Sequence, residues 1–302
     1  MNSSNSLRQK VSVYIPAYNV ADYLPRCLDG LLAQTLPPDE ILVIDDGSRD
    51  RTAEIASCYP GVALIRHASN KGLAATRNTA FRAARNELVA SLDADCVPEP
   101  TWLAELVKHM MDSTVAGAGG KLAEGMQQNA ADRWRAAHMP QHWGDAPIRN
   151  PKFLFGCNNL FRRSVVLELG GYNEKRRTNG EDTDLSARLR ERQFTLVYDP
   201  LARATHLRHD TILSVLDASW RWWRFGVNAY SAGPRLRSVL GHAIFVHFRY
   251  NFLDPFLEDF SARHWDLCAF DFLLLGYFPY RDFRLWWSGR SARAEPTGKE
   301  TD

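Results

Sequence analysis

The first hundred residues constrain the fold most, because four short apolar runs alternate there with helical stripes. Residues 11–16, 40–44, 62–66 and 87–92 are strand-length runs rich in Val, Ile, Leu and Ala. Residues 21–34, 50–58 and 72–85 lie between them with helical spacing. In the first of these, Leu24, Cys27, Leu28, Leu31 and Leu32 share one stripe, and Pro37-Pro38 stops the helix. Strands separated by helices predict a largely parallel sheet covered on both faces, and so a nucleotide-binding α/β domain.

The remainder is less regular. Helices are expected over 101–111 and 182–192, and strands over 153–161 and 194–198. The glycine-rich residues 117–120 should turn into or through a strand. Residues 126–150 show no clean period and hold Trp134, His138, His142 and Trp143. From Thr211 the composition shifts: six of the nine tryptophans lie at Trp220 or later, interleaved with Arg and Phe. This divides the chain into an α/β domain over 1–210 and a helical extension over 211–302, with 290–302 as a polar tail.

Composition excludes several classes. A net charge of +2, from 37 basic and 35 acidic residues, gives no bulk attraction for nucleic acid. The five cysteines are scattered without a C-x-x-C pair, which reads as free thiols in a reducing compartment rather than disulfides or a zinc site. Residues 1–10 lack the apolar stretch of a signal peptide. No run of about 18 apolar residues offers a spanning helix. The expectation is a cytoplasmic protein.

Several groups of residues bear chemistry. Asp93-Ala94-Asp95 closes the apolar run 88–92. Carboxylates two apart at a breaking strand can converge on a hard divalent cation such as Mg²⁺ or Mn²⁺, or simply solvate a strand end. Asp45-Asp46-Gly47-Ser48 ends another strand, where open α/β sheets bind ligands; a base or ribose contact competes there with capping by Ser48 or Asp50. Arg77, near Asn70-Lys71-Gly72, suits a diphosphate or a plain solvated helix. Glu181-Asp182 opens a helix, either as a capping pair or as a general base beside an incoming hydroxyl. His206 could complete a metal shell or serve as a structural hydrogen-bonder. The pair His138 and His142 straddles Pro140 and is not read as a helical metal pair. Residues 117–121 lack P-loop spacing, and no acyl-transfer triad is evident.

Taken in order, these motifs resemble family-2 glycosyltransferases of the GT-A fold, over roughly residues 11–230. The resemblance rests on Val13-Tyr14-Ile15-Pro16-Ala17-Tyr18-Asn19, Asp45-Asp46-Gly47-Ser48, Asn70-Lys71-Gly72 with Arg77-Asn78, and Asp93-Ala94-Asp95. It continues through Gly156-Cys157-Asn158-Asn159, Gly170-Gly171-Tyr172-Asn173-Glu174 and Glu181-Asp182-Thr183-Asp184. Thr76 stands where the family more often has Ala.

The resemblance implies roles. Pro16, Ala17 and Tyr18 border the nucleotide base, Asp45 and Asp46 line its site, and Asp46 reads it by hydrogen bonds. Arg77 approaches the diphosphate, and Asn158 and Asn159 lie near the donor sugar or acceptor. Asp93 contacts ribose or metal, Asp95 binds Mg²⁺ or Mn²⁺, and His206 adds a metal or phosphate contact. Asp182, with Glu181 beside it, deprotonates the acceptor hydroxyl. The implied reaction moves a sugar from a nucleoside-diphosphate sugar to a saccharide or lipid-linked acceptor with inversion, in cell-surface polysaccharide or glycoconjugate synthesis. Residues 219–230 resemble the helix that often follows the catalytic domain, packing on the sheet or touching the inner membrane surface peripherally. Two other readings are a non-catalytic nucleotide-sugar scaffold and a nucleotidyltransferase. The latter lacks its glycine-rich basic loop here.

Overall fold

The computed structural model describes residues 9–176, 179–226 and 241–294. The expected polar tail and residues 227–230 of the aromatic segment therefore lie wholly or partly outside the described residues. Contacts divide the chain into two compact units, Met1–Met126 with Pro140–Arg208, and Gln127–Met139 with His209–Asp302. Residues 127–139, part of the segment without a period, thus group with the C-terminal third.

In the first unit, strands β1 (Val11–Ala17), β2 (Glu40–Asp45), β3 (Val62–Arg66) and β4 (Leu88–Leu92) alternate with helices α1 (Leu24–Leu32), α2 (Thr52–Ser57) and α3 (Leu73–Ala83). They pair in parallel in the order β3-β2-β1-β4. Strand β1 is buried along its length, with Val11, Val13 and Ile15 packed in one core cluster and Tyr14 in another. That is why its sequence reads as a continuous apolar run rather than an alternation. The α1 stripe is used as expected: Leu24, Cys27, Leu28 and Leu31 are fully buried, each leucine contributing about 1.5–3 kcal/mol of burial.

Beyond β4 the sheet becomes mixed rather than mostly parallel. Strands β5 (Cys96–Pro98), β6 (Val115–Glu124), β7 (Ile148–Arg149), β8 (Asn158–Arg162) and β9 (Thr195–His206) extend it in the order β4-β8-β6-β9-β5, with β7 also on β9. Strand β8 runs antiparallel to both β4 and β6, whereas β6 and β9 are parallel. Helices α4 (Trp102–Lys108), α6 (Arg163–Glu168) and α7 (Glu181–Glu191) complete this unit; α5 (Ala130–His138) belongs to the other.

Two strand expectations change. Residues 153–157 do not join the ladder, because Phe153 and Phe155 pack edge-on and tilted against Trp143. The strand expected over 194–198 runs on through Asp199-Pro200 to His206 as β9. There Gly120 faces Asp199 and Lys121 faces Arg203, so 200–202 form a bulge that accommodates a proline without an N–H. A Cβ on Gly120 would meet the Ala202 carbonyl oxygen at 1.8 Å, so the bulge requires glycine opposite it.

The second unit is helical, with α5, α8 (Ile212–Arg221), the wide-turned α9 (His242–Leu253), α10 (Asp254–Ser261) and α11 (Trp265–Ala294). Its core joins Trp134, Leu216, Trp220, Phe270, Leu274 and Phe278. No helix among the described residues is long and apolar enough to cross a membrane.

Candidate active site

Parallel pairing brings the carboxyl ends of β1, β2 and β4 side by side, the place where open α/β sheets bind ligands. Pro16 and Ala17 are buried at the end of β1, and Tyr18 beyond them is 45% exposed. The loop is clipped to its neighbour: the Asn19 N–H donates to Ser48 Oγ at 2.9 Å, and Asn19 Oδ1 accepts from the Arg49 N–H.

The two acids after β2 are heavily engaged. Asp45 accepts the Ser48 N–H at 2.9 Å and pairs with Arg66 at 3.0 Å. Asp46 accepts the N–H groups of Lys71 and Gly72, both at 2.9 Å, and meets His67 Nδ1 at 2.7 Å. It thereby fixes the loop entering α3, where Gly72 adopts φ 95°. Asp50 accepts from the N–H groups of Ala21 and Thr52 rather than facing a ligand.

Arg77, on α3, is 2% exposed and lies between two acids. Its Nη1 donates to Glu181 Oε1 at 3.0 Å, its Nη2 is 3.6 Å from Asp93 Oδ1, and its guanidinium sits 5.5 Å over the Tyr172 ring. A Cβ on Gly156 would fall 1.9 Å from Nη1, so glycine there admits the guanidinium. Burial dominates Glu181 and pushes its carboxyl up to about 7 against the pull of Arg77. Asp182 is less buried; it accepts the Gly156 N–H at 3.0 Å and the Thr183 N–H at 2.7 Å.

The third cluster is built by β9. His206 is paired in register with Cys96 of β5 and with Glu124 of β6, and Asp95 directly precedes β5. His206 Nε2 lies 3.0 Å from Asp95 Oδ2, and its Nδ1 lies 3.1 Å from Glu124 Oε2. Burial by itself would lower His206, but its bonds to Asp95 and Glu124 outweigh that and lift it to about 9. Burial likewise works to raise Asp95, and His206 overcomes it, holding the carboxyl below its ordinary range. Asp93 goes the other way, raised chiefly by burial despite Arg77, and its Oδ1 is shielded from water without a hydrogen bond.

These residues fit a divalent ion. A carboxylate oxygen waits without a hydrogen bond, a second carboxylate abuts an imidazole, and that imidazole is oriented from behind by a third acid, as metal-ligating histidines are. Cys96 Sγ belongs to the same cluster, and burial holds its thiol well above the ordinary value.

Asn158 departs from its expected role. Its Nδ2 donates to the carbonyls of Lys121 and Ala202, its Oδ1 accepts the Trp102 indole at 2.7 Å, and it is fully buried. It braces β6 against the β9 bulge instead of contacting a sugar. Asn159 is also fully buried, donating to the Phe155 carbonyl. Sequence reasoning missed Glu124 and His67, and it quoted Gly156 and Tyr172 within motifs without giving either a role. Glu124 closes a glycine-rich strand far from His206 in sequence, and only the strand register joins them.

The sheet order, with acids at the ends of β2 and β4 on either side of β1 and an acid pair opening α7, defines a GT-A nucleotide-binding domain. Residues 12–170 match the family model described as glycosyl transferase family 2, and the chain belongs to that family. It is 30% identical over 211 residues to the pre-mycofactocin glycosyltransferase of Mycobacterium tuberculosis, covering 67% of this chain and 44% of that protein. It is 31% identical over 201 residues to glycosyltransferase AglE of Haloferax volcanii, covering 62% and 64%. The chain thus spans about half to two thirds of the length of these relatives. Among solved structures, the mannosyltransferase PcManGT of Pyrobaculum calidifontis, in complex with GDP-Man and Mn²⁺, superposes with a TM-score of 0.56. That match is 20% identical and covers 96% of this chain and 82% of that one. GalNAc-T7 with UDP, GalNAc and Mn²⁺ gives a TM-score of 0.55 at 20% identity, covering 76% and 51%. At that identity the likeness shows the fold.

Proposed function

We propose that this chain transfers a sugar from a nucleoside-diphosphate sugar to an acceptor hydroxyl with inversion, and that Asp93, Asp95 and His206 hold the Mg²⁺ or Mn²⁺ it uses. The observation that carries this reading is the set of acids at the end of β4, with Asp93 Oδ1 lacking a hydrogen bond and 3.6 Å from Arg77, and Asp95 set against a histidine that Glu124 orients. When bound, the ion supplies positive charge to the diphosphate leaving group. The ions and nucleotides named for PcManGT and GalNAc-T7 support this choice of donor class.

The chain's own residues supply the rest. Asp182 takes the acceptor proton: two backbone N–H groups hold its carboxylate, and it is more accessible than Glu181. Glu181 acts on Arg77 instead, fixing the guanidinium between itself and Asp93 on the diphosphate side. Pro16, Ala17 and Tyr18 border the base. Asp46, with three of about four carboxylate lone-pair sites used by the fold, keeps one for a base N–H.

The chemistry is assigned to residues 1–210 and acceptor contact to 211–302, the acceptor being a saccharide or a lipid-linked sugar in surface polysaccharide or glycoconjugate synthesis. On α11, Trp265, Phe272, Tyr280 and Phe283 are exposed, while Asp271 and Asp282 are buried. Such a distribution favours peripheral contact with a membrane surface, and absence of binding to anionic vesicles would remove that part of the reading.

The test is a thermal-shift screen of UDP, GDP, dTDP, CDP and ADP, each with Mn²⁺, Mg²⁺ or EDTA. One nucleotide should stabilise the protein in a metal-dependent way, by about 2.7 kcal/mol at a hundred times its dissociation constant. No response to any of them would favour a non-catalytic scaffold.

A further inference from the structure

The helical unit holds a second cluster, made of His138 at the end of α5, Asp259 on α10 and Asp271 on α11. One potential ligand atom from each lies within 4.8 Å of the other two. His138 Nε2 is 2.9 Å from Asp259 Oδ2, and the two acids are 1% and 0% exposed. Asp271 Oδ1 accepts the Trp134 indole N–H at 2.8 Å; its Oδ2 is buried without a hydrogen bond. A buried carboxylate oxygen left without a hydrogen bond is costly, so it calls for a partner.

A neighbouring network in the same unit shows what a closed arrangement looks like. There Trp220 donates to Asp282 Oδ1 at 2.9 Å, His247 meets Oδ2 at 3.0 Å, and Asn251 meets the other ring nitrogen at 2.9 Å. The His138 cluster repeats that pattern with a second acid added and an oxygen to spare, so one imidazole faces two buried carboxylates. The other charged groups nearby are Glu258, 3.9 Å from His138 Nδ1, and the exposed His264, 3.6 Å from Asp259 Oδ1.

We propose that His138, Asp259 and Asp271 bind a first-row divalent transition ion, with Zn²⁺ the best match, tying α5, α10 and α11 together. One nitrogen and two oxygen ligands suit Zn²⁺, and a water can take the fourth position. Ligand atoms about 2.0–2.2 Å from a common ion stand roughly 3 Å apart, as His138 Nε2 and Asp259 Oδ2 do. The Trp134 indole fixes the Asp271 carboxylate from behind, as outer partners of metal ligands do. The cluster shares no residue with the strand-end acids, so it stands or falls independently of the glycosyl-transfer reading.

The experiment uses the full chain carrying Asp95→Asn, to silence the strand-end site. After loading with Zn²⁺ and desalting, it should retain about one equivalent of metal by elemental analysis. Adding Asp271→Asn or His138→Gln should abolish that retention. Co²⁺ in place of Zn²⁺ should give visible absorption bands of a low-coordinate site, a readout that leaves the cluster intact should the added variants fail to fold. Retention near zero, no Co²⁺ band, or equal retention in folded Asp271→Asn and His138→Gln proteins would overturn the assignment.

Discussion

Strands β2 and β4 end alike in sequence, each an apolar run followed by two acids, yet the structure uses the two ends in opposite ways. Asp45 and Asp46 are bonded to Ser48, Arg66, His67, Lys71 and Gly72. Asp45 Oδ2 and Asp93 Oδ1 are both buried without a hydrogen bond, but Arg66 holds the former at 3.0 Å while Arg77 stands 3.6 Å from the latter. Asp95 faces a histidine held from the other side by Glu124. One pair of acids holds the chain; the other is set to hold something else. Spacing along the sequence does not distinguish them, whereas a count of their bonding partners does.

This contrast can be broken or sharpened by substitution. The largest effect should come from Asp182→Asn, with kcat falling about 10²–10⁴-fold as for a lost general base, and the nucleotide-induced thermal shift kept. Steady-state kinetics beside that shift checks it. Glu124→Gln removes the charge that orients His206, and metal affinity should fall about 10–100-fold with the fold intact, as a metal titration would show. Asp46→Asn should act mainly on stability. It sets an amide against backbone N–H donors at a cost of about 1–3 kcal/mol, read by denaturant unfolding, with kcat per folded molecule largely kept.

A smaller effect is expected from pH. His206 is lifted in the fold from 6.5 to about 9, so the stability from its ion pairs is complete below pH 6.5 and lost as pH rises toward 9. In EDTA, the melting temperature should decline across that window and decline less in His206→Gln. A raised Glu181 works in the same direction at lower pH, its contribution being lost between 4.5 and about 7.

Much of the first unit was legible because its strands and helices are periodic and punctuated: β3 spans residues 62–66 as expected, and α1 buries the expected stripe. Legibility fell where pairing between distant segments decides. The aromatic run at 153–155 packs on Trp143 instead of entering the sheet, and Pro200 is carried through a strand by a bulge that depends on Gly120. In the site, the residue types were readable but their division of labour was not. Asn158 lies within a family motif, yet its amide is committed to Trp102, Lys121 and Ala202. Glu124 lies in no motif, yet it supports His206 through strand register. The helical unit was least legible, since its apolar residues run around α11 rather than along one face, while Asp271 and Asp282 point inward.

The most direct test compares Mn²⁺ binding by electron paramagnetic resonance in the presence of the stabilising nucleoside diphosphate, for the unaltered chain, Asp95→Asn and Asp46→Asn. Nucleotide-dependent Mn²⁺ binding should vanish in Asp95→Asn and, in folded Asp46→Asn, persist at saturating nucleotide while requiring more nucleotide to reach it. Unchanged binding in Asp95→Asn would contradict the account, because the acids after β4 would then be as structural as those after β2.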